Sequence, residues 1–344
     1  MKAVILVGGE GTRLRPLTYC LPKAIVPIVN QPLMAYMLNW LKSGGVKEAL
    51  LIACYLPDKL KKALGNSVSG IKIRYIYEDK PLGTGGAIKR AEKFMGGTTV
   101  VMNGDVILSL DLKKMLKFHR SNKSNLTISL TPVENPSAYG VVETDKSGRI
   151  TRFLEKPSPE EITVKPANIN AGVYFMEPSV LELMEPGKVY SIERDVFPKM
   201  IDRNAYGFIQ KNMYWIDVGT AEKYKKINYD ILGRKIKVKT SGLFGRNLKT
   251  GKGAKVGKKT SIGNNNFIGD KVSIKDYSVV GNNCRIDKGS VLDKCILWNN
   301  ITVGEGCVLK GCIIANNSKI GEFSKLSESA VIAQNSSIAP RSKL

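Results

Sequence analysis

The chain has 344 residues, of which 43% are hydrophobic and 24% are charged. This length and composition allow a sizeable buried core and predict two domains. The first apolar run ends at Val7, which is too short for the core of a signal peptide, and no stretch reaches the roughly 20 apolar residues of a membrane helix. We therefore expect a cytoplasmic protein without a membrane span.

The net charge is +23, and the basic excess is most concentrated between Arg234 and Lys259, where ten basic residues occur with no acidic residue. Such a run can bind nucleic acid or lipid head groups, or it can be a solvated face of a lysine-rich protein. Single-stranded nucleic acid is bound with interleaved aromatic side chains, and Phe244 is the one aromatic residue of this run. We favour the solvated face and expect no nucleic-acid partner.

The first predicted element is an apolar strand at residues 3–7, followed directly by a glycine-rich segment at residues 8–23. An apolar run of this length bounded by glycines is typical of a buried strand. The glycines let successive N–H groups bind phosphate oxygens, and the basic residues add positive charge. The residues concerned are Gly8, Gly9, Gly11, Arg13, Arg15 and Lys23. The pattern predicts a loop that binds a polyphosphate.

Two common nucleotide-binding motifs do not fit this loop. A dinucleotide-binding fold requires G-x-G-x-x-G, and Leu14 occupies the position of the third glycine. A P-loop requires Gly-Lys-Ser or Gly-Lys-Thr, whereas Gly11 is followed by Thr12 and Arg13. An ordinary glycine-rich turn with solvated arginines would account for the glycines or the charges, but only separately.

The elements that follow alternate between helix and strand. We predict a helix that is capped by Asn30, has Pro32 in its first turn and ends at Gly44. Buried strands are predicted at residues 49–53 and 71–77. This alternation indicates a doubly wound, mostly parallel α/β sheet, whose ligands bind at the carboxyl ends of the strands.

A second glycine-rich loop occupies residues 81–86, and we predict that a helix follows it at residues 87–94. Glycines leave the backbone bare, so this loop suits recognition of a flat nucleobase, although a tight strand-to-helix turn would also explain it. A further strand at residues 99–102 ends in Asn103, Gly104 and Asp105. Asp105 fits either a turn or helix cap, or a Mg²⁺ ligand beside bound phosphates.

The C-terminal part of the sequence has a six-residue repeat. Aliphatic residues recur at fifteen positions from Val256 to Ile338, and twelve of the fourteen spacings are six residues. This is the hexapeptide pattern of a parallel β-helix, and it resembles the left-handed type. The small position two residues earlier holds four of the six cysteines: Cys284, Cys295, Cys307 and Cys312. We expect these four to be core residues and not zinc ligands.

Several segments resemble one family. Residues 8–18, GGEGTRLRPLT, together with Pro22 and Lys23, resemble the nucleotide-binding motif of the sugar-1-phosphate nucleotidyltransferases. The same family is indicated by PLGTGG at 81–86, NGD at 103–105, YG at 139–140, FLEKP at 153–157, NAG at 170–172 and WIDVGT at 215–220. The resemblance covers nearly the whole chain, and it is greatest to the branch that transfers guanylyl groups to mannose 1-phosphate.

The resemblance implies a role for each matching residue. The catalytic cations would be Arg13 and Lys23. The nucleotide would be bound by Leu6, Gly8, Gly9, Gly11, Thr12, Gly83, Thr84, Gly85, Asn103 and Gly104. The sugar phosphate would be bound by Gly140, Glu155, Lys156, Asn170 and Gly172. The Mg²⁺ ligands would be Asp105 and Asp217. The catalytic domain would span residues 1–233 and the β-helix residues 254–344, with a basic linker at 234–253.

The implied reaction joins a nucleoside triphosphate to a sugar 1-phosphate and releases pyrophosphate, with GTP and mannose 1-phosphate as the leading pair. UTP or dTTP with glucose 1-phosphate is the alternative, and a non-catalytic regulatory subunit is a further one. A phosphate nucleophile needs no general base, and the only histidine, His119, lies outside every motif. Acetyl transfer is not expected, because the β-helix has no histidine. Its flat faces and coil ends predict a homo-oligomer.

Overall fold

The computed structural model describes residues 1–163, 165–240 and 242–344. Ser241, which falls in the predicted linker, lies outside the described residues. The chain forms two compact units that alternate along the sequence. The first unit contains residues 1–9 and 37–217, and the second contains residues 10–36 and 218–344. The glycine-rich segment 8–23 therefore passes from the first unit to the second.

The described residues form five α-helices: α1 Leu33–Ser43, α2 Pro57–Leu64, α3 Gly83–Arg90, α4 Leu112–Ser121 and α5 Ala221–Leu232. Helix α4 begins after Asp111, whose carboxylate accepts hydrogen bonds from the N–H groups of Lys113 and Lys114. Helix α5 begins after Thr220, whose hydroxyl accepts from the N–H of Lys223. Both caps satisfy N–H groups that a helix start leaves without partners. None of these helices is long and apolar enough to cross a membrane.

The strands before the β-helix are β1 Lys2–Leu6, β2 Pro27–Ile28, β3 Gln31–Pro32, β4 Glu48–Ala53, β5 Ser67–Val68, β6 Ile71–Tyr77, β7 Thr99–Asn103, β8 Val106–Leu108, β9 Leu126–Val133, β10 Gly140–Thr144, β11 Ile150–Glu155, β12 Ala167–Met176, β13 Ala205–Ile209 and β14 Trp215–Asp217. Ten of them form the sheet of the first unit, along the path β11-β10-β12-β7-β1-β4-β6-β5, with β9 beside β12 and β13 beside β9.

This sheet has a parallel part and an antiparallel part. Strand β1 pairs in parallel with β4 and with β7, and β4 pairs in parallel with β6, as the alternation of helix and strand predicts. Strand β12 is antiparallel to β7, β9 and β10, and β10 is antiparallel to β11. The carboxyl ends of β1, β4, β6 and β7 therefore share one edge, and the predicted nucleotide loops follow three of these four ends.

The core of the first unit lies against this sheet. Its apolar cluster joins residues of the parallel strands, such as Val4, to the aromatic side chains of the antiparallel part. The ring centroids of Tyr174 and Phe197 are 5.1 Å apart, and those of Phe153 and Phe197 are 5.3 Å apart. Both pairs have the edge-to-face geometry that aromatic rings prefer. This packing fixes β11 and β12, which carry the predicted sugar-phosphate residues.

Residues 27–32 form a hairpin of β2 and β3 and not the start of α1. Pro27 pairs with Pro32 and Ile28 with Gln31, so Val29 and Asn30 are the two turn residues, with φ values of 43° and 62°. Positive φ at both central positions is the type I′ hairpin turn, and asparagine adopts it readily. The predicted helix cap at Asn30 is therefore wrong, and α1 begins at Leu33.

The C-terminal part is a parallel β-helix of sixteen short strands: β15 Lys249–Thr250, β16 Lys255–Val256, β17 Ser261–Ile262, β18 Phe267–Ile268, β19 Ser273–Ile274, β20 Val279–Val280, β21 Arg285–Ile286, β22 Val291–Asp293, β23 Ile296–Leu297, β24 Thr302–Val303, β25 Val308–Lys310, β26 Ile313–Ile314, β27 Lys319–Ile320, β28 Lys325–Leu326, β29 Val331–Ile332 and β30 Ser337–Ile338. Every third strand belongs to the same sheet, which gives three faces of six, five and five strands.

The interior of the β-helix follows the predicted repeat. The aliphatic residues of the repeat form one buried cluster with the four cysteines, all of which are free thiols. The β-helix begins earlier than the predicted boundary at residue 254, because β15 pairs with β18 and Phe244 forms a bridge with Ile262. Phe244 and Thr250 continue the six-residue register, but neither is aliphatic, so the pattern did not include them.

One face of the β-helix is covered within the second unit. The hydroxyl of Tyr229 on α5 donates to the carbonyl oxygen of Lys294 at 2.6 Å, and the ammonium of Lys225 donates to that of Glu328 at 2.9 Å. Val279 and Ile296 point outward on this face, yet they are 1–2% exposed. Helix α5 thus belongs to the same compact unit as the β-helix, not to the sheet that precedes it in sequence.

Candidate functional site

In the first unit, the nucleotide edge begins where β1 ends. The N–H of Val7 donates to the carbonyl oxygen of Ile52 at 2.9 Å, which extends the parallel pairing one residue past β1. Gly8 comes next, and a β-carbon at Gly8 would lie 3.6 Å from the Cys54 β-carbon and 3.9 Å from Oε2 of Glu78. A β-carbon at Gly9 would have no atom of the described residues within 4 Å. The loop therefore leaves the sheet beside two other strand ends.

Glu78 is a candidate site residue that the sequence analysis missed. It follows β6 directly, and its N–H donates to the carbonyl oxygen of Ala53 at 2.8 Å. Only 7% of the residue is exposed, and among the described residues Oε1 has no hydrogen-bond partner. Burial raises the pKa of Glu78 above its ordinary value, and the nearby Arg90 guanidinium opposes that rise. A buried acceptor without a partner in a native structure calls for a ligand, an ion or water.

The signal for Glu78 was present in the sequence. An acidic residue directly after a buried strand of a parallel sheet lies at the edge where ligands bind. Base recognition was instead predicted for the bare backbone of the glycine-rich loop at 81–86, and the residue at the strand end before it received no role.

The second glycine-rich loop has a different geometry from the predicted one. Helix α3 begins at Gly83, not at residue 87, so the glycines form its first turn. The N–H of Gly85 donates to the carbonyl oxygen of Tyr190 at 2.8 Å, and a β-carbon at Gly83 would lie 2.4 Å from that oxygen. A β-carbon at Gly86 would lie 2.7 Å from the carbonyl oxygen of Lys188. These glycines therefore allow the segment 188–192 to pass close to the helix start.

Glu193 connects this helix start to the same segment. Thr84 donates its hydroxyl proton to Oε2 of Glu193 at 2.7 Å and accepts from the N–H of Ile192 at 2.9 Å. The hydroxyl of Ser191 donates to the same Oε2 at 2.9 Å. No role was predicted for residues 191–193 from the sequence. Their hydrogen bonds show that they hold Thr84, one of the predicted nucleotide-binding residues.

The turn after β7 is fixed by a close backbone contact. The N–H of Gly104 donates to the carbonyl oxygen of Leu6 at 2.8 Å. A β-carbon at Gly104 would lie 2.5 Å from that oxygen, and one at Gly172 would lie 3.0 Å from Nδ2 of Asn103. Glycine is therefore required at 104, and it places Asp105 directly after the contact between β1 and β7.

The two predicted metal ligands lie at the same ladder, one in a strand and one directly before its partner strand. Strand β14 pairs antiparallel with β8, and the register places Asp217 opposite Val106, the residue after Asp105. Asp217 is 8% exposed, and the hydroxyl of Tyr139 donates to its Oδ1 at 3.0 Å. No three His, Cys, Asp or Glu side chains of the described residues form a complete metal cluster. Two carboxylates completed by substrate phosphates and water are nevertheless a donor set that suits Mg²⁺.

The antiparallel part of the sheet carries the predicted sugar-phosphate residues. Gly140 pairs with Glu155 across β10 and β11, and a β-carbon at Gly140 would lie 2.9 Å from Oε2 of Glu155. Burial raises the pKa of Glu155, and the negative charge of Glu193 raises it further. The Lys156 ammonium lies 3.8 Å from Oε1 of Glu155, and its side chain is 58% exposed.

Asn170 has structural partners on both ends of its amide. Its Nδ2 donates to the hydroxyl of Tyr174 at 2.9 Å, and its Oδ1 accepts from the N–H of Gly172 at 2.9 Å. Gly172 has a φ of 76°, which favours glycine. Asn170 therefore keeps one amide hydrogen and one lone pair for a ligand.

In the second unit, the glycine-rich segment turns at Gly11, whose φ is 64°. The hydroxyl of Thr18 donates to the Gly11 carbonyl oxygen at 2.8 Å, and a β-carbon at Gly11 would lie 3.4 Å from that of Lys23. The segment therefore folds back on itself and brings Lys23 beside Gly11. Thr12 is exposed in the 3-10 turn that follows Gly11.

The two arginines of this segment differ. Arg15 forms an ion pair with Glu10 at 2.7 Å. Arg13 is exposed and forms no ion pair with any described residue. Among the two, Arg13 is thus the one whose charge remains available for a ligand, in agreement with its predicted role.

His119 lies outside these groups of residues. It is buried near the end of α4, with Nδ1 2.8 Å from the hydroxyl of Thr127 and Nε2 3.1 Å from Oε1 of Glu177. Burial lowers the pKa of His119, and the hydrogen bond to Glu177 opposes that shift. These contacts give both ring nitrogens of His119 a partner within the first unit.

Comparisons with known proteins bear on both parts of the chain. A mannose-1-phosphate guanylyltransferase from Mycobacterium tuberculosis is 38% identical over 235 residues, which cover 67% of this chain and 64% of that protein. A UTP–glucose-1-phosphate uridylyltransferase from Synechocystis is 33% identical over 253 residues, which cover 69% of this chain and 65% of that protein. The chain thus spans slightly less than two thirds of the length of these relatives.

A solved structure gives a similar result. HddC from Yersinia pseudotuberculosis, crystallised in complex with GMP-PN, superposes with a TM-score of 0.57 at 31% identity. The match covers 67% of this chain and 99% of that one.

Two sequence profiles divide the chain between them. The profile of the EIF2B subunit epsilon LbH domain matches residues 239–344, which confirms the predicted left-handed β-helix. The profile described as nucleotidyl transferase matches residues 2–234, and with the relatives above it confirms the family predicted from the motifs. The chain therefore belongs to the nucleotidyl transferase family.

Proposed function

We propose that the chain transfers the guanylyl group of GTP to mannose 1-phosphate, which gives GDP-mannose and pyrophosphate. The observation that carries the choice of nucleotide is the Glu78 carboxylate, which is buried beside Gly8 and has one oxygen without a partner among the described residues. The guanylyltransferases among the relatives support the same choice.

The chemistry of the bases explains why this carboxylate favours guanine. Guanine presents two adjacent donors, N1–H and the 2-amino group, and an ionised carboxylate has two acceptor oxygens and no donor. Uracil and thymine present one N–H donor between two carbonyl oxygens. A carboxylate repels these two oxygens, because all of them are acceptors. A site built around a buried acceptor strongly rejects a base that cannot donate to it.

The phosphates would be handled by charge and not by a general base. The phosphate oxygen of the sugar phosphate is already ionised and would attack the α-phosphorus of GTP in line. The bond from the α-phosphorus to the bridging oxygen breaks, and pyrophosphate leaves. Arg13 and Lys23 would neutralise the charge that develops on pyrophosphate, and Lys156 would hold the incoming phosphate.

Asp105 and Asp217 would hold Mg²⁺ together with substrate phosphates. The register of β8 and β14 supports this, because Asp217 pairs with Val106, the residue after Asp105. The ion supplies positive charge that stabilises the phosphate oxygens during transfer. Tyr139 would orient Asp217 through its hydrogen bond to Oδ1. On the sugar side, Glu155 would accept hydrogen bonds from hydroxyl groups, and Asn170 would both accept and donate them.

Two other functions are weaker candidates. UTP or dTTP with glucose 1-phosphate would use the same charged residues, and a uridylyltransferase is among the relatives, but Glu78 is unfavourable for a pyrimidine. A regulatory subunit without catalysis has no physical reason to retain Arg13, Lys23, Asp105 and Asp217 together.

We place the protein in the cytoplasm as a homo-oligomer that associates through the β-helix.

The test is pyrophosphate release with Mg²⁺ over a grid of five nucleoside triphosphates and three sugar 1-phosphates. The nucleotides are GTP, UTP, dTTP, ATP and CTP, and the sugars are mannose, glucose and N-acetylglucosamine. The proposal predicts release with GTP and mannose 1-phosphate. Preference for UTP or dTTP with glucose 1-phosphate would contradict the assignment of Glu78, and the absence of any release would favour the regulatory subunit.

A further inference from the structure

The β-helix carries none of the residues assigned to the proposed reaction, yet the second unit links it to the hairpin that follows Lys23. Trp298 is 2% exposed, and its Nε1–H donates to the hydroxyl of Tyr224 on α5 at 2.9 Å. That hydroxyl donates in turn to the carbonyl oxygen of Pro27 at 2.5 Å. One buried hydroxyl thus accepts from the β-helix and donates to the first strand of the hairpin.

The turn of the same hairpin is held by a second set of contacts. Nδ2 of Asn30 donates to the carbonyl oxygen of Val280 at 2.9 Å and to the hydroxyl of Ser261 at 3.2 Å. The N–H of Val29 donates to Oδ1 of Asn228 on α5 at 2.8 Å. Valine with a φ of 43° is unfavourable, because its branched side chain crowds the backbone there. Such a conformation persists only where its surroundings hold it.

The hairpin in turn fixes the backbone at Lys23. The N–H of Leu33 donates to the carbonyl oxygen of Val26 at 3.1 Å, which closes the hairpin. The N–H of Val26 donates to the carbonyl oxygen of Lys23 at 3.1 Å. Lys23 also packs beside Gly11, the turn residue of the glycine-rich segment. Hydrogen bonds on both sides of the Val26–Pro27 peptide therefore connect Trp298 to the backbone of Lys23.

We infer that the β-helix positions the phosphate-binding segment of this chain, with Tyr224 and Asn30 as positioning residues for Lys23. This inference rests on the proposed function for the role of Lys23. A cation stabilises a leaving group best when it is held in place before the reaction. Loss of either link leaves Lys23 in the chain but lets its backbone move, so affinity for pyrophosphate and turnover should both fall.

The test compares Tyr224→Phe with Tyr229→Phe. Each variant loses one tyrosine hydroxyl of α5 that bonds to a carbonyl oxygen, but only the hydroxyl of Tyr224 reaches the hairpin. The first readout is the binding of inorganic pyrophosphate by calorimetry, which does not depend on turnover. We expect Tyr224→Phe to weaken it about tenfold and Tyr229→Phe to leave it within twofold of wild type. Lys23→Ala is the reference variant, because it shows how far pyrophosphate binding falls when the Lys23 charge is removed.

The second readout is kinetic. Tyr224→Phe should lower kcat for pyrophosphate release about tenfold while KM for mannose 1-phosphate stays within twofold. Because loss of folded protein would also lower apparent kcat at constant KM, kcat is expressed per mole of binding-competent protein, as given by the calorimetric stoichiometry. Asn30→Asp removes the amide donor at the partly buried turn and should repeat the result if Tyr224→Phe fails to fold.

The outcomes separate this inference from the proposed function. Equal pyrophosphate binding by Tyr224→Phe, Asn30→Asp and Tyr229→Phe would overturn the inference, even if wild type turns over GTP and mannose 1-phosphate. Wild type that binds pyrophosphate but turns over no substrate pair would contradict the proposed function, and the affinity of the variants would still decide the inference. Wild type that binds no pyrophosphate would overturn both.

Discussion

Replacement of Glu78 by glutamine should change which base the chain prefers. In wild type, the two carboxylate oxygens can accept from N1–H and from the 2-amino group of guanine. Glutamine keeps one acceptor oxygen and turns an amide donor toward the second guanine donor. The loss is at least one hydrogen bond to a charged group, about 1.5–3 kcal/mol, which is about a 10- to 150-fold fall in kcat/KM for GTP.

Inosine triphosphate makes this prediction specific, because it lacks only the 2-amino group. Wild type should prefer GTP over inosine triphosphate by about tenfold or more, and Glu78→Gln should lose most of that preference. The combination of two substrates and two enzymes forms a cycle that isolates the contact between the carboxylate and the 2-amino group. Use of UTP should rise relative to GTP in the variant, because glutamine can donate to a pyrimidine carbonyl oxygen and accept from its N–H.

The assay is steady-state pyrophosphate release with mannose 1-phosphate held constant. Asp79→Asn is the matched control, since Asp79 is the next residue, carries the same charge and is exposed. It should leave the ratio of GTP to inosine triphosphate unchanged. An unchanged ratio in Glu78→Gln would refute the assignment of Glu78 as the base-reading residue.

Three further outcomes are expected. Lys23→Ala should lower kcat about a hundredfold, or roughly 3 kcal/mol of barrier, and a wild-type rate would remove Lys23 from the catalytic residues. Gly104→Ala places a methyl group 2.5 Å from the Leu6 carbonyl oxygen, so urea unfolding should show a free energy of unfolding lower by about 1–3 kcal/mol. Gly96→Ala is the control, because a β-carbon there has no described atom within 4 Å, and its free energy of unfolding should not change. Equal losses in the two variants would contradict the clash. Burial lowers the pKa of His119 below its ordinary value of 6.5, so the unfolded chain binds a proton at a higher pH than the folded chain does. The free energy of unfolding should therefore fall from pH 7 to pH 5 more in wild type than in His119→Asn. Parallel pH profiles of the two proteins would contradict this.

The sequence predicted best those features that depend on local pattern. The six-residue repeat placed the aliphatic residues and four cysteines in the β-helix core, because every repeat turns the same position of its sequence toward the shared core. The apolar runs located β1, β4, β6 and β7 within one residue. The assignment of Asp105 and Asp217 as Mg²⁺ ligands comes from the family resemblance and stays a prediction.

Features that depend on distant contacts could not be predicted in the same way. The glycines at 83–86 suggested an open backbone, but the segment 188–192 packs against them, and no local pattern reveals that partner. Asn30 resembled a helix cap, yet its amide bonds to Val280, 250 residues later. The pattern before residue 254 was missed because Thr250 continues the repeat with a polar side chain.

Glu78 was missed for a different reason. Its position after β6 was predictable, but its burial and its oxygen without a described partner depend on how β4, β6 and Gly8 meet at the sheet edge. A charged residue at a strand end is usually solvated, so no local pattern indicates that this one is buried.

The most direct test of the proposed reaction follows isotopic label from mannose 1-phosphate into the products. The substrate carries ¹⁸O in the three non-bridging oxygens of its phosphate, and it is mixed with unlabelled GTP, Mg²⁺ and the full chain. If the phosphate oxygen attacks the α-phosphorus of GTP, mass spectrometry will find all three ¹⁸O atoms in GDP-mannose and none in pyrophosphate. Label in pyrophosphate, or no GDP-mannose under conditions where the protein is folded, would contradict the proposed guanylyl transfer.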